Sequence, residues 1–327
     1  MVLFVTGLCD KNCYYCPLSK SRKGKDVVYA DETPVKNDLD IILECRAIDA
    51  EGTGMTGGDP LIRAKRTLKY IRLLKREFGD GHHIHLYTNG MHAGKDLLTK
   101  LKEAGLDEIR FHPGREFWDR IAVAKALGMC AGAEAPSIPG GERELKEFIR
   151  YLENIKADFL NLNQLEFSPE NALQLKQRGF ALENGEMSAV KGSEEAALHV
   201  IKWAELEGIS LPINYCPTYV KDSIQTKRRL LRRAKNVRRP YEEVFEDGLV
   251  GKVVVRTDTG STRMLRKELH LHFAVPLYAI GISDDGGALE LHRNFLDPAR
   301  KLMRGAIFEY VQSYPTFSRD KFAGSPC

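Results

Sequence analysis

Cys9-Asp10-Lys11-Asn12-Cys13-Tyr14-Tyr15-Cys16 places three thiols in one short loop, separated by three and then two intervening residues. The loop follows the apolar run 2–5 directly. So short a loop can turn its sulfurs toward one centre, and thiolates are the ligands that zinc and iron–sulfur clusters prefer. Three donors leave a tetrahedral zinc or a four-iron cube one ligand short, and in a catalytic site a vacant position can take substrate. A zinc site built from two Cys-x-x-Cys arms is not available, because residues 13–16 hold the only such pair. The other cysteines, Cys45, Cys130, Cys216 and Cys327, are scattered and show no spacing for a second cluster. A secreted disulfide framework would be denser and more even, so the expected compartment is the cytoplasm.

Around this loop strands and helices alternate. The stretches 52–56, 84–88, 108–111, 129–135, 159–165 and 211–215 read as strands joining 2–5. Between them, 38–49, 67–78, 95–104, 117–127, 142–155 and 194–207 read as helices. In 67–78, Leu68, Ile71, Leu74 and Phe78 recur at three- and four-residue steps, the pattern of one buried helix face. Six or seven such units imply a parallel sheet clothed by helices, with chemistry at the C-terminal strand ends. The expected fold class is α/β. The sheet, over 1–216, is either open or curled into a barrel, and a C-terminal α+β extension occupies 217–327.

At this point the chain resembles the radical S-adenosylmethionine (radical SAM) superfamily. The resemblance rests on Cys9-x3-Cys13-x-Tyr15-Cys16, including the aromatic residue before the third cysteine, and on Thr56-Gly57-Gly58-Asp59-Pro60-Leu61 at the end of the second strand. The latter is similar to the family's Gly-Gly-Glu-Pro turn, with Asp59 one methylene shorter than the usual Glu. Tyr87-Thr88-Asn89-Gly90 resembles the Thr-Asn-Gly turn of enzymes related to glycyl-radical activases. The likeness covers about residues 1–216, implies there a partial six-stranded α/β barrel whose open side the extension covers or shapes, and is strongest to a largely archaeal group related to the pyruvate formate-lyase activating enzyme.

The resemblance implies that Cys9, Cys13 and Cys16 hold a [4Fe–4S] cluster whose fourth iron is chelated by SAM. Gly57 and Gly58 would let backbone carbonyls approach the methionine ammonium, with Asp59, Pro60 and Asn89 in the same cofactor site. Glu134 and Asn163 are candidate contacts to the amino acid or ribose of SAM. The implied reaction is reductive cleavage of SAM to methionine and a 5′-deoxyadenosyl radical, with a ferredoxin or flavodoxin as electron donor. The substrate would be a protein or peptide, as for activases. Alternatives are an RNA- or metabolite-modifying radical SAM enzyme, and a zinc-stabilised binding module with no turnover.

Other residues carry weaker signals. Cys216 ends the last core strand and is a candidate hydrogen donor or radical relay. His82, His83 and His85 raise the question of a second metal site, which would need more ligands nearby; alternation puts His83 and His85 on one strand face. Arg110 and His112 share a face at the end of the fourth strand, facing either the cleft or a helix-side salt bridge. Cys45 and Cys130 read as core residues. In the extension, 250–255 and 270–279 read as strands, and 284–287 as a turn between short strands.

Composition sets the outer limits. The chain has 327 residues, 43% apolar and 29% charged, an ordinary globular balance. No run approaches the roughly 18–20 apolar residues of a membrane span. The apolar start is cut short by Thr6 and Gly7, and no signal peptide is read. The chain opens almost on its first strand, which is compatible with a missing N-terminal segment. The net charge of +4 conceals an uneven distribution: 227–239 holds eight cations and no acid, and the rest has 41 basic against 45 acidic residues. That stretch reads as a helix packing Ile224, Leu231, Ala234 and Val237, with its cations outward, as a solvated face or as a dock for RNA or a carboxylate-rich protein.

Overall fold

The computed structural model describes residues 1–184, 188–258 and 260–327, the side chains of residues 221 and 222 excepted. The described chain divides into two compact units, Met1–Cys45 with Ala50–Ser223, and Arg46–Asp49 with Ile224–Cys327.

In the first unit, β1 (Val2–Thr6) leads through the cysteine loop to a small hairpin, β2 (Tyr29–Ala30) and β3 (Thr33–Pro34), and then to α1 (Asp38–Ala47). There follow β4 (Gly52–Gly57), α2 (Ala64–Phe78), β5 (His83–Thr88), α3 (Lys95–Glu103), β6 (Glu108–Phe111), α4 (Asp119–Ala126) and β7 (Cys130–Ser137). The unit ends with α5 (Glu142–Asn154), β8 (Leu160–Gln164), α6 (Ala172–Gln177), α7 (Ser193–Leu206) and β9 (Ile213–Cys216). The sheet order is β3-β2-β1-β4-β5-β6-β7-β8-β9. β1 and β4 to β9 are parallel, while the hairpin is antiparallel at the β1 edge. Six strand–helix units plus a last strand make the partial barrel that the resemblance implies. The hairpin and α6 were not foreseen: their strands and turns are too short to show a period.

Each strand's alternation divides the sheet into two faces. Ile84, Leu86, Ile109, Phe111, Leu160 and Leu162 are fully buried and pack with helix residues such as Ile71, Leu74, Leu98 and Ile149. Burying each such side chain is worth about 1.5–3 kcal/mol, enough to fix the register. The opposite face is polar, carrying His83, His85 and Tyr87 on β5, Glu108 and Arg110 on β6, Cys130 and Glu134 on β7, and Asn161 and Asn163 on β8. Cys130 was expected in the core but is exposed, because its parity puts it on this polar face. Cys45 is buried in α1, as expected.

The second unit holds α8 (Thr226–Val237), β10 (Glu243–Val244), β11 (Val250–Arg256), α9 (Thr262–Phe273), β12 (Ile280–Ile282), β13 (Leu289–Leu291), α10 (Leu296–Leu302), β14 (Ile307–Ser313) and β15 (Lys321–Pro326). Its antiparallel sheet runs β12-β13-β11-β14-β15, with β10 also on β11. The expected strand over 270–279 is absent. The alternating His270-Leu271-His272-Phe273 mimics a strand, but Leu265 and Leu269, four apart, are the buried positions of a helix, α9. The basic helix also differs from expectation. Leu230, Arg233 and Ala234 are its buried positions, and Arg233 Nε donates to the Pro315 carbonyl at 2.5 Å. Arg239, beyond the helix end, joins Glu290 at 3.0 Å. The eight cations are therefore not one outward patch.

Candidate active site

The cysteine loop, the Gly57-Gly58 turn and the Thr88-Asn89-Gly90 turn all stand at C-terminal ends of parallel strands, where the alternation places chemistry. Cys9, Cys13 and Cys16 line one cavity of about 320 Å³ together with Gly57, Gly58 and Asn89. The Asn89 side-chain amide points at Cys9 Sγ from 3.8 Å. Among the described residues, the only three-donor group drawn within 4.8 Å is elsewhere, so the three thiols are not gathered around a single-ion centre. A four-iron cube fits this wider set, because separate irons stand between its corner ligands.

Asp59 is fully buried and its carboxylate is used up inside the protein. It accepts from Leu61 N at 2.8 Å, Thr88 Oγ1 at 2.9 Å and Asn89 N at 2.9 Å. Burial pushes its pKa up against the pull of these donors. Asp59 thus ties the Gly57-Gly58 turn to the Thr88-Asn89 turn. Pro60, also buried, starts the short 3-10 turn Pro60–Arg63. The glycines have a packing reason of their own. A Cβ on Gly57 would lie 2.2 Å from the Thr6 carbonyl oxygen, and one on Gly58 2.2 Å from that of Leu8. The turn presses on the cysteine loop through Gly58 N to Thr6 O and Asp59 N to Leu8 O, both 2.8 Å.

The loop is braced on other sides as well. Asn171, nearly fully buried, donates to the Tyr15 carbonyl at 3.0 Å. Asp26, where the loop returns, accepts from Thr6 Oγ1 and from Arg63 and Arg66. Hydrogen bonding to Arg66 holds its carboxyl well below the usual range. Neither residue was singled out from the sequence. Isolated Asn and Asp residues in loops carry no spacing signal, and only the fold brings them to the loop.

Tyr15, the aromatic before Cys16, hydrogen-bonds His112 at 2.9 Å, and His112 Nδ1 lies 2.8 Å from the Glu134 carbonyl oxygen. The carbonyl can only accept, so Nδ1 carries the hydrogen and Nε2 accepts from the Tyr15 hydroxyl. Burial lowers the His112 pKa and raises that of Tyr15, keeping both neutral. This pair lines both the cysteine cavity and a second one of about 550 Å³, which also touches Tyr14, Trp118, Glu134 and Phe148.

Glu134 is the centre of a polar network on the inner sheet face. It accepts from Arg110 at 3.1 Å, Asn161 at 2.7 Å and Asn163 at 2.6 Å. Arg110 also bonds Glu108 and reaches Tyr87 at 3.3 Å. Burial works against the Arg110 charge, but Tyr87, Glu108 and Glu134 more than offset it and raise its pKa. Arg110 and His112 thus face the interior of the sheet rather than a helix. Asn163 meets Glu134 directly. Cys216, half-buried, is the register partner of Asn163 but is not among the residues lining either cavity.

The histidines separate. His82 is buried, bonded to Thr53 at 2.8 Å and stacked on Phe78. His83 and His85 share the inner face, as alternation required. Burial, with the nearby Arg110 and His83 charges, pushes His85 down to about 3.

Comparison with known proteins agrees with this geometry. Residues 3–114 match the radical SAM superfamily model. A Methanocaldococcus jannaschii protein named "Putative glycyl-radical enzyme activating enzyme" is 45% identical over 262 residues, covering 76% of this chain and 68% of its own. Among solved structures, Streptococcus suis SuiB bound to precursor peptide SuiA superposes with a TM-score of 0.51 at 12% identity, over 76% of this chain and 58% of that one. AnSMEcpe with bound AdoMet and Kp18Cys peptide gives a TM-score of 0.45 at 12% identity, over 65% of this chain and 62% of that one. The chain thus spans about three fifths of these two structural neighbours. No described helix is long and apolar enough to cross a membrane. A close relative, a matching family model and a shared fold converge on one conclusion: the chain belongs to the radical SAM superfamily, as an enzyme that uses a [4Fe–4S] cluster and SAM to generate a radical.

Proposed function

We propose that Cys9, Cys13 and Cys16 hold the cluster, that the backbone at Gly57 and Gly58 receives the SAM methionine ammonium, and that Glu134 with Asn163 contacts the ribose or amino acid of SAM. We further infer a glycyl-radical protein as substrate, from the name of the archaeal relative, and a cytoplasmic ferredoxin or flavodoxin as electron donor. The observation behind the residue assignment is the single cavity lined by three thiols and two cofactor turns at the strand ends. When bound, a cluster held by Cys9, Cys13 and Cys16 would supply the one electron for reductive cleavage of SAM to methionine and a 5′-deoxyadenosyl radical, which would take a substrate hydrogen to become 5′-deoxyadenosine.

The chain's own part is positioning and exclusion of water. Asp59 fixes the two turns. The Asn89 amide directs a donor at the Cys9 sulfur and so moderates its charge. Tyr15 and His112, neutral and locked to each other, form the wall shared by the two cavities. Glu134 is held in place by two amides and a guanidinium, which leaves its orientation fixed for a ligand hydroxyl or amine.

The test is anaerobic reconstitution with dithionite and SAM. Wild type should release 5′-deoxyadenosine, and Cys13→Ala should release none while keeping its fold by circular dichroism. Undiminished cleavage in Cys13→Ala would refute the ligand assignment. With a candidate protein deuterated at its glycine α-carbons, deuterium should appear in 5′-deoxyadenosine, and the same protein undeuterated should give a glycyl doublet in the electron paramagnetic resonance spectrum. Cleavage without either signal would remove that protein class as substrate.

A further inference from the structure

The polar face of the first sheet has a second donor cluster, at the opposite end of the strands from the cysteine loop. His83, Glu108 and Cys130 are the first residues of β5, β6 and β7, and His85 lies one step further along β5. His85 is the register partner of Glu108, and Glu108 that of Cys130, so the donors stand side by side on adjacent strands. Donor atoms of His83, His85 and Glu108 all lie within 4.8 Å of one another. Cys130 Sγ is 3.9 Å from Glu108 Oε2.

Three details go beyond proximity. His85 Nδ1 is buried and meets no hydrogen-bond partner among the described residues. A buried nitrogen left without a partner calls for an explanation, and an unseen ion is one of the few available. The His85 ring has space only because Gly54 faces it: a Cβ there would lie 2.6 Å from Nε2. The charge also suits a cation. Glu108 and Glu134 bring two carboxylates against the one guanidinium of Arg110, leaving one negative charge in excess.

We propose that His83, His85 and Glu108, completed by Cys130, form a mononuclear site for a zinc-class divalent cation at the N-terminal ends of β5, β6 and β7. Two imidazoles, a carboxylate and a thiol are a donor set suited to zinc. Bonds of about 2.0–2.3 Å hold tetrahedral donors roughly 3.4–3.7 Å apart, so His83, His85 and Glu108 close on an ion by small side-chain rotations, while Cys130, outside that 4.8 Å group, must swing in from its contact with Glu108. On binding, the Cys130 thiol gives its proton to solvent and the sulfur bonds the metal. The site would pin three strands together where the inner face meets solvent, while Tyr87, whose ring lies 5.3 Å from that of His85, lines the cysteine cavity further along β5. The inference does not depend on the substrate reading.

The experiment measures zinc by mass spectrometry in cluster-loaded protein dialysed against zinc, then replaces zinc with cobalt. Wild type should hold roughly one zinc per chain beyond the cluster iron. A Cys9→Ala, Cys13→Ala, Cys16→Ala triple variant, which loses the cluster, should keep that zinc. His83→Ala, at an exposed position, and Glu108→Gln should each weaken zinc binding at least about tenfold, the loss already typical of outer-shell partners. Cobalt should give visible bands of a tetrahedral centre and a thiolate charge-transfer band that Cys130→Ser removes. Zinc that disappears with the cysteine-loop variant, or ignores His83→Ala and Glu108→Gln, would overturn the site. Tetrahedral bands without a thiolate band would overturn the part assigned to Cys130.

Discussion

Glu134 and Glu290 are both buried carboxylates, 8% and 5% exposed, one in each unit, and they are satisfied differently. Glu290, on β13, meets two full cations and a phenol: Lys252 at 2.5 Å, Arg239 at 3.0 Å and Tyr241 at 2.7 Å. Glu134, on β7, shares its one cation with Glu108 and takes its other bonds from two amides. Glu134 also lines a cavity of about 550 Å³, whereas Glu290 lines none of the cavities described. Burial would raise the pKa of Glu290, but Lys252, Tyr241 and Arg239 outweigh it and hold the carboxyl below the usual range. The contrast separates a carboxylate locked into a core from one positioned beside a cavity. Burial alone does not tell them apart, but the kind of partner does.

That distinction can be broken by substitution. The largest effect belongs to Glu290→Ala, which takes the shared carboxylate from half-buried Lys252 and Arg239 and should cost about 1.5–3 kcal/mol. Both tryptophans, Trp118 and Trp203, lie in the first unit, so urea unfolding should be followed by far-ultraviolet circular dichroism. Because the folded pKa of Glu290 is depressed, its contribution is complete above the unfolded value of about 4.3 and fades as pH falls through the lower folded one. The wild-type advantage over Glu290→Ala should therefore shrink only at acid pH. A cost that stays constant down through that window would mean the pairing does not stabilise the fold.

Glu134→Gln sharpens the comparison from the other side. It keeps the shape and loses the charge, and 5′-deoxyadenosine formation should slow at least about tenfold, or ~1.4 kcal/mol. Its denaturation midpoint should move much less than that of Glu290→Ala. A large stability loss with an unchanged rate would make Glu134 a core residue like Glu290. The smallest effect is expected at Lys227 and Arg228, exposed on α8. Changing both to Ser should leave the unfolding midpoint unchanged within error, unlike Arg233→Ser, which strips the buried contact to Pro315.

Most of the first unit was legible because its signals are periodic or spaced. The cysteine loop, the Gly-Gly turn and the alternation of strands with helices need only local sequence. The His83–His85 pairing followed from the two-residue strand repeat. Other features depend on contacts between distant residues. That Asp59 would bond Thr88 and Asn89, some 30 positions away, cannot be read from residue 59. The same holds for Asn171 reaching Tyr15. Cys130 was misplaced because a small thiol in an apolar stretch looks like core until strand parity is known. The error over 270–279 arose where helix and strand periods coincide over four residues.

The Asp59 clasp also bears on the order of assembly. Asp59 fastens the Gly57-Gly58 turn to the Thr88-Asn89 turn by accepting from Thr88 Oγ1 and Asn89 N. Small zinc domains, by contrast, have no order until metal arrives. Protein stripped of its cluster is therefore expected to keep its circular dichroism and to regain 5′-deoxyadenosine formation when the cluster is rebuilt late, on a chain already folded. Air-inactivated or iron-starved protein should then be a reservoir that can be recharged rather than waste to be degraded.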